Sequence, residues 1–374
     1  MSEPVVMAIK RANGECSPQP LHGGDLPFAA NYYGIEQHKW LDLSTGINPQ
    51  AYPVAEIPSE VFAHLPYRQS AFTEAVIDYY GSENFLSVSG TQSAIQQLPN
   101  LLNKKNSYPV LLPSLGYSEH QQHWLKAGNS AAFYCAESGE KMLADIDQQL
   151  AKNSRQHLVI INPNNPTTVQ VTAQQLLYWA AQLSGDAKLI VDEAFIDASE
   201  NISLLQLTDI DDALKEKLIV LRSFGKFFGL AGLRIGFVFA SPEIVRDLQQ
   251  ELGIWQINGP AQWLATQAYR DRDWQQQART SLQQNIDQTL ALFHPLIEQL
   301  KLQSAGVTNY FFSLYCPLAL AGFIQDFLAR QAVLIRLIEV DDQRAMLRVG
   351  AFDVQQQAQR MQLQQALAAL QAAL

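Results

Sequence analysis

The stretch SFGKFFGLAGLRIGF, Ser223 to Phe237, holds a single lysine, Lys226, flanked by Phe224, Phe227 and Phe228. A serine stands three residues before it and Arg234 eight residues after it. An amine among aromatic rings is partly desolvated, so its charged form is disfavoured, its pKa falls, and the neutral amine can attack an aldehyde. Ser223 and Arg234 are residue types that hold a phosphate dianion. Together they suggest a lysine joined to the aldehyde of pyridoxal phosphate. The alternative is a buried strand followed by a Gly-rich turn, with Lys226 reaching along apolar surface to water.

The chain has 374 residues, 47% hydrophobic and 17% charged, which suits a soluble globular protein of two domains. A formal net charge of −10 with no basic run argues against nucleic acid, so an anionic ligand must be met by local cations. No apolar run of about eighteen residues suggests a membrane span. The N-terminus, MSEPVVMAIKRANGECSPQP, is too polar for a signal peptide. Cys16, Cys135 and Cys316 are scattered and odd in number, which fits a reducing cytoplasm and no metal framework. His120 and His123 share a helix face without a nearby cluster of ligands, and are expected at the surface or a dimer contact.

From Phe72 onward, short apolar segments alternate with helical ones. Strands are expected at Asn84–Ser89, Val110–Leu112, His157–Ile161, Leu189–Val191, Leu218–Leu221 and Ile235–Ala240. Helices are expected at Phe72–Tyr80, from Gln92, and at Thr172–Leu183. The pattern implies an α/β fold with a mostly parallel sheet sandwiched by helices. After Asn258-Gly259-Pro260 come a long helical region, Gln262–Leu300, three strand-like pieces (Tyr310–Tyr315, Val333–Ile335, Met346–Val349) and a last helix with Leu363, Leu367, Leu370 and Leu374 on one face. The expected organisation is an N-terminal arm at 1–45, a large domain at 46–257 and a smaller α/β domain at 258–374.

Several turns carry candidate chemistry. Gly90, Thr91 and Gln92 join a strand to a helix, where a close backbone approach and free N–H groups can cradle a phosphate. Asn162-Pro163-Asn164-Asn165-Pro166-Thr167 follows a buried strand and is at least a tight turn. Asp192 and Glu193 end another strand, where α/β sheets present ligand groups; Asp192 there would keep a pyridine nitrogen protonated, and Glu193 competes on charge alone. Arg336 and Arg348 lie twelve apart in strand-like contexts and suit bidentate binding of carboxylate or phosphate.

These motifs resemble the fold-type I pyridoxal phosphate enzymes, the aspartate aminotransferase superfamily, whose lysine segment is S-x-x-K…G-L-x-G-x-R-x-G. The resemblance implies that Gly90, Thr91, Gln92, Ser223 and Arg234 serve the cofactor phosphate, Asn165 its phenolic oxygen, Asp192 rather than Glu193 its ring nitrogen, and Tyr117 its ring face. It implies substrate-carboxylate binding by Arg348 and substrate-anion binding by Arg336. Two positions depart from the pattern: Thr168 replaces the glycine of N-P-x-N-P-T-G, and Phe195 replaces the tyrosine of aminotransferases, which argues against ordinary transamination.

Leu21-His22-Gly23-Gly24-Asp25 and Trp40-Leu41-Asp42-Leu43-Ser44-Thr45-Gly46-Ile47-Asn48-Pro49 narrow the resemblance to the cobalamin-pathway threonine-phosphate decarboxylases. Leu65-Pro66-Tyr67 and Glu119-His120 belong to the same resemblance. It implies decarboxylation of L-threonine O-3-phosphate to (R)-1-amino-2-propanol phosphate by a cytoplasmic homodimer with shared active sites. Tyr67 would then reach the partner chain's cofactor phosphate. His22 and the arm either close over the substrate or pack against the partner. A histidinol-phosphate aminotransferase is the neighbouring alternative. A non-catalytic cofactor-binding regulator is disfavoured, because the residues before the domain lack helix-turn-helix patterning.

Overall fold

The computed structural model describes residues 6–10, 16–20, 22–199 and 203–374, the first two segments as backbone alone. Leu21 of the HGGD segment falls outside the described residues. Two compact units are present: Gln50–Arg279, and the residues up to Pro49 joined with Thr280–Leu374. In chain order, β1 (Val6–Lys10), β2 (Cys16–Pro20) and β3 (Leu41–Leu43) come first. Then follow β4 (Phe85–Val88), β5 (Val110–Pro113), β6 (Ala131–Tyr134), β7 (His157–Ile161), β8 (Leu189–Asp192), β9 (Leu218–Ser223) and β10 (Gly236–Phe239). The last are β11 (Gln303–Val307), β12 (Phe311–Pro317), β13 (Val333–Glu339) and β14 (Arg344–Gly350).

The larger unit is built on one sheet, ordered β4-β10-β9-β8-β7-β5-β6. β10 runs antiparallel to both neighbours, and the pairs from β9 to β6 are parallel. The carboxyl ends of the other six strands therefore gather at one edge, beside the amino end of β10. Side chains alternate between the faces with the strand period of two. Leu86, Val88, Val159, Ile190, Ile219, Leu221 and Val238 share one core with Ile95, Leu98 and Leu102 of helix Thr91–Lys105, Trp124 of helix Ser118–Lys126, and Ile244 and Leu248 of helix Pro242–Leu252. Phe85, Phe237 and Phe239 turn to the other face and pack together, Phe237 and Phe239 meeting the ring of Tyr80 from helix Ser70–Tyr80 and Phe237 that of Tyr269 from helix Gly259–Arg270. This is the helix-covered, mostly parallel sheet that the sequence predicts.

The smaller unit holds a sheet ordered β11-β12-β14-β13-β3, antiparallel except where β3 runs parallel to β13. Ile286, Phe293 and Leu296, with Ile324, Leu328, Leu363, Leu367 and Leu370, supply its helical side of the core. The structure differs from the sequence expectation in three places. Leu41–Leu43 lies inside the expected arm, yet pairs with Val333–Ile335 as a full strand. The expected helix Gln262–Leu300 is two helices, Gly259–Arg270 and Arg272–Leu300, because Asp271 leaves helical geometry and its carboxylate accepts the Trp274 N–H at 3.0 Å. Leu374 lies past the end of helix Gln357–Ala373 and is exposed, unlike the three leucines before it. Among the described residues no helix is long and apolar enough to cross a membrane.

His157 opens β7 beneath Trp124 and Tyr108, and its Nδ1 accepts the Lys188 N–H at 3.1 Å. Burial, and then the Lys188 charge, push its pKa down to about 4. The unfolded chain binds that proton near pH 6.5, so the contribution to stability is complete above about 6.5 and is lost as pH falls toward 4. The loss amounts to about 3 kcal/mol. His157→Asn keeps an acceptor for Lys188 but does not titrate. Urea unfolding of the two proteins at pH 7 and pH 4 should show the wild type losing about 3 kcal/mol more than the variant; parallel losses would exclude His157 as the titrating group.

Candidate active site

The carboxyl-end edge of the large sheet collects most of the sequence candidates. Gly236 stands opposite both Val88 and Ser223, so β10 ties the strand leading to Gly90 to the strand leading to Lys226. Gly90 precedes helix Thr91–Lys105 with φ 76°, which favours glycine. A Cβ there would stand 2.4 Å from Arg234 Nη2, so the guanidinium lies directly over the turn. The free N–H groups of the helix start and the Arg234 charge thus converge. Ser223 is buried at the adjacent strand end, and its side chain makes no cap bond to the short helix Phe224–Phe227 that follows it. Lys226 sits in that helix, half-buried, with Nζ 5.6 Å from the centre of the Phe195 ring.

Asp192 and Glu193 fall on opposite faces. Asp192 is 4% exposed; its Oδ2 lies 3.0 Å from His120 Nε2, and its Oδ1 accepts the Ala194 N–H at 3.1 Å. Glu193 is fully buried on the other side, where it accepts from Ser203 Oγ at 2.6 Å and the Leu204 N–H at 2.8 Å and pairs with Arg222. Burial raises the Glu193 pKa against the pull of Arg222. Glu193 is therefore engaged in a closed cluster, while Asp192 faces the side shared by Ser223.

His120 was expected at the surface or a dimer contact, and the structure corrects this: it is 2% exposed and bonded to Asp192. The available signal was Trp124, four residues on, which marks that face of helix Ser118–Lys126 as inward. Tyr117 precedes the same helix, and its hydroxyl donates to Gln92 Oε1 at 3.0 Å. Burial raises its pKa, with the charges of Glu119 and Asp192 adding to the shift. In the 162–168 turn, Asn162 exchanges two bonds of 3.0 Å with Val171, and Asn164 Nδ2 donates to the Leu115 carbonyl at 3.2 Å. These bonds anchor the turn around Asn165, which stays half-buried.

The smaller unit holds the other candidates. Arg336 on β13 stands opposite Arg348 on β14. Burial pushes both guanidinium pKa values down to about 10, and repulsion from Arg336 adds to the effect on Arg348, which Asp42 partly offsets. Arg348 Nη2 donates to the Ser44 carbonyl. Ser44 Oγ donates to Asp42 Oδ1 at 2.6 Å and accepts the Gly24 N–H at 2.8 Å. A Cβ on Gly23 would stand 2.2 Å from the Ser44 carbonyl oxygen and 3.3 Å from Arg348 Nη2. The HGGD and LDLSTG segments thus interlock around Arg348, with His22 exposed one residue before the contact. Two like charges thus stand side by side, Arg348 buried and Arg336 half-buried.

Tyr67 is 67% exposed in the larger unit, its ring edge-on to Trp255 at 5.8 Å. Phe62, Leu65 and Ile254 are exposed in the same unit.

A family profile described as aminotransferase class I and II matches residues 28–358. The chain belongs to that family. The threonine-phosphate decarboxylase of Pseudomonas aeruginosa is 38% identical over 333 residues, 88% of this chain and 92% of that protein. The histidinol-phosphate aminotransferase of Streptomyces avermitilis is 33% identical over 175 residues, 45% of each chain. The crystal structure of histidinol-phosphate aminotransferase from Sinorhizobium meliloti in complex with pyridoxal-5'-phosphate superposes with a TM-score of 0.71 at 18% identity, over 94% of this chain and 96% of that one. The fold is thus the fold-type I aminotransferase fold.

For a member of this family, Thr168 is the informative departure. Its φ is 64°, so the turn keeps the left-handed geometry that the glycine of the pattern would adopt freely. A β-branched residue there is strained by about 1–3 kcal/mol, against about 0.5–1 kcal/mol of extra chain entropy for glycine. Thr168→Gly should therefore raise the unfolding free energy by about 1 kcal/mol. A melting temperature below wild type would show that the Thr168 side chain contributes more than its strain costs.

Proposed function

We propose that this chain is a pyridoxal phosphate-dependent decarboxylase of L-threonine O-3-phosphate, forming (R)-1-amino-2-propanol phosphate in cobalamin biosynthesis. The observation that carries the substrate class is Arg336 standing opposite the buried Arg348 on neighbouring strands, which suits a substrate bearing both a carboxylate and a phosphate. The likeness to a threonine-phosphate decarboxylase over most of both chains supports the same reading.

The donor set fits the cofactor. The phosphate would be held by the helix start at Gly90, Thr91 and Gln92 together with Ser223 and Arg234; Asn165 would hold the phenolic oxygen, Tyr117 the ring face, Asp192 the ring nitrogen, and Lys226 the aldehyde carbon. Bound pyridoxal phosphate supplies an electron sink for the pair released when the Cα–carboxylate bond breaks. Asp192, steadied by His120, keeps a proton on the ring nitrogen. Arg348 binds the carboxylate and sets its orientation, and Arg336 and His22 are assigned to the substrate's anions. Lys226 Nζ, or a water, returns a proton to Cα. Phe195 offers Lys226 a ring face and no hydroxyl. We further propose a cytoplasmic homodimer with shared sites. The exposed Phe62, Leu65, Tyr67, Ile254 and Trp255 support self-association, and Tyr67 would serve the partner's phosphate site. The free Cys135 and Cys316 are consistent with a reducing compartment.

Purified protein with pyridoxal phosphate and L-threonine O-3-phosphate, and no 2-oxoacid, should release carbon dioxide in step with an amine phosphate product. Lys226→Ala should lose both turnover and the visible absorbance of the lysine-bound cofactor. No carbon dioxide, with pyridoxamine phosphate accumulating on histidinol phosphate, would move the chain to the aminotransferases. Arg348→Met should lower kcat/KM by roughly 10²–10³, the scale of a lost buried charge pair. Its unfolding free energy should stay within about 1 kcal/mol of wild type, because relief of the repulsion from Arg336 offsets the lost contacts to Ser44 and Asp42. A large loss of stability with kcat/KM intact would make Arg348 a structural residue.

A further inference from the structure

Two of the cofactor candidates, Tyr117 and Gln92, continue into a chain of side chains, Glu119 and His123, that the proposed reaction leaves unexplained. The Tyr117 hydroxyl donates to Gln92 Oε1 at 3.0 Å, Gln92 Nε2 donates to Glu119 Oε2, and His123 Nε2 meets the same oxygen at 3.2 Å. Glu119 is 7% exposed, although a glutamate in a first helical turn is ordinarily solvated. The order of donors follows from chemistry. An ionised carboxylate only accepts, so Glu119 can face only the NH₂ end of the Gln92 amide. The Gln92 carbonyl oxygen is then turned to Tyr117, and the phenol must donate. Without the carboxylate the amide could rotate by half a turn and present NH₂ to the phenol, which would then have to accept.

We propose that Glu119 is a positioning residue for the cofactor site. By fixing the sense of the Gln92 amide it fixes both the tilt of the Tyr117 ring and the direction of its phenol proton, which points to Gln92 and is withheld from whatever lies on the ring face. This rests on the reading that Tyr117 stacks on the ring of pyridoxal phosphate. Gln92 serves twice, its main chain in the phosphate cradle and its side chain in the relay. Ring placement and phosphate placement are therefore set by one residue.

Glu119→Gln preserves the shape and removes the acceptor-only constraint. Affinity for pyridoxal phosphate, by titration of the apoprotein, should fall about tenfold, the scale of a lost charge-assisted hydrogen bond. The visible circular dichroism of the bound cofactor, which reports ring tilt, should change. Tyr117→Phe should alter the dichroism in the same way, and adding Glu119→Gln to Tyr117→Phe should cost nothing further, since the relay has already lost its end. Glu119→Gln with a lowered melting temperature but unchanged affinity and dichroism would overturn the proposal, as would independent, additive effects. A wild type that takes up no pyridoxal phosphate would sink the cofactor reading and this proposal with it. A wild type that takes it up, beside an unaffected Glu119→Gln, would sink the relay alone.

Discussion

One close approach organises the larger unit. A Cβ on Gly236 would stand 2.5 Å from the Thr91 nitrogen and 2.8 Å from the Gly90 carbonyl carbon, so the first residue of β10 is pressed onto the turn that starts helix Thr91–Lys105. Because Gly236 also pairs with Ser223, that contact fixes the distance between a helix amino terminus and the strand that leads to Lys226. Arg234, two residues earlier, is held over Gly90 by its own left-handed backbone at φ 56°. The spacing of serine, lysine, arginine and glycine in the 223–237 stretch is therefore the spacing needed to fold one loop against one helix start. A larger residue at 236 would push the start of helix Thr91–Lys105 away from the strand that leads to Lys226.

Sequence patterning carried most of the larger unit because its signals are local. Strands such as His157–Ile161 are continuous apolar runs, and the turns at Gly90 and Asn162–Thr167 have distinctive chemistry at strand ends. What escaped is non-local. Leu41–Leu43 is a three-residue strand whose partner, Val333–Ile335, lies nearly 300 residues away, and no window around residue 41 can show that pairing. Residues 259–270 look like the start of the smaller domain, yet their helix packs on helix Ser70–Tyr80 through Tyr269 and Tyr80. His120 and Glu119 escaped for a different reason. Helical spacing identifies residues that share a face but not whether that face is wet, and both carry side chains that composition assigns to water.

The smaller unit shows how a motif can be legible before its cause is. Two glycines after His22 carry no chemistry of their own, and their meaning lies in what they touch. Gly23 sits against the Ser44 carbonyl that also accepts from Arg348, and Gly24 donates its N–H to the Ser44 hydroxyl. Asp42 closes the set through two bonds to Ser44, one to its hydroxyl and one to its N–H, at 2.6 and 2.8 Å. Burial raises the Asp42 pKa while Ser44 and Arg348 lower it, so the acid beside Arg348 is tied to the backbone that holds that arginine. A side chain at position 23 would displace the Ser44 carbonyl and with it the guanidinium. The two glycines, Ser44 and Arg348 are thus one packing unit.

The choice between Asp192 and Glu193 is at bottom a question of parity. Adjacent residues on a strand face opposite sides, so the register that puts Ile190 and Leu221 in one core also puts Asp192 on the side of Ser223 and sends Glu193 and Arg222 to the other. A one-residue slip of β8 would exchange the two acids. It would also bury Asp192 against Arg222 and turn Glu193 toward His120. The Glu193 cluster resists that slip, because Ser203, Leu204 and Arg222 all bind a carboxylate of glutamate length, and Asp197 takes the other side of Arg222. Leaving Glu193 without Arg222 would strand a fully buried charge, at a cost of about 3–5 kcal/mol. The buried ion cluster on the far face thus secures the register that sets Asp192 against His120, and one acid helps decide where its neighbour points.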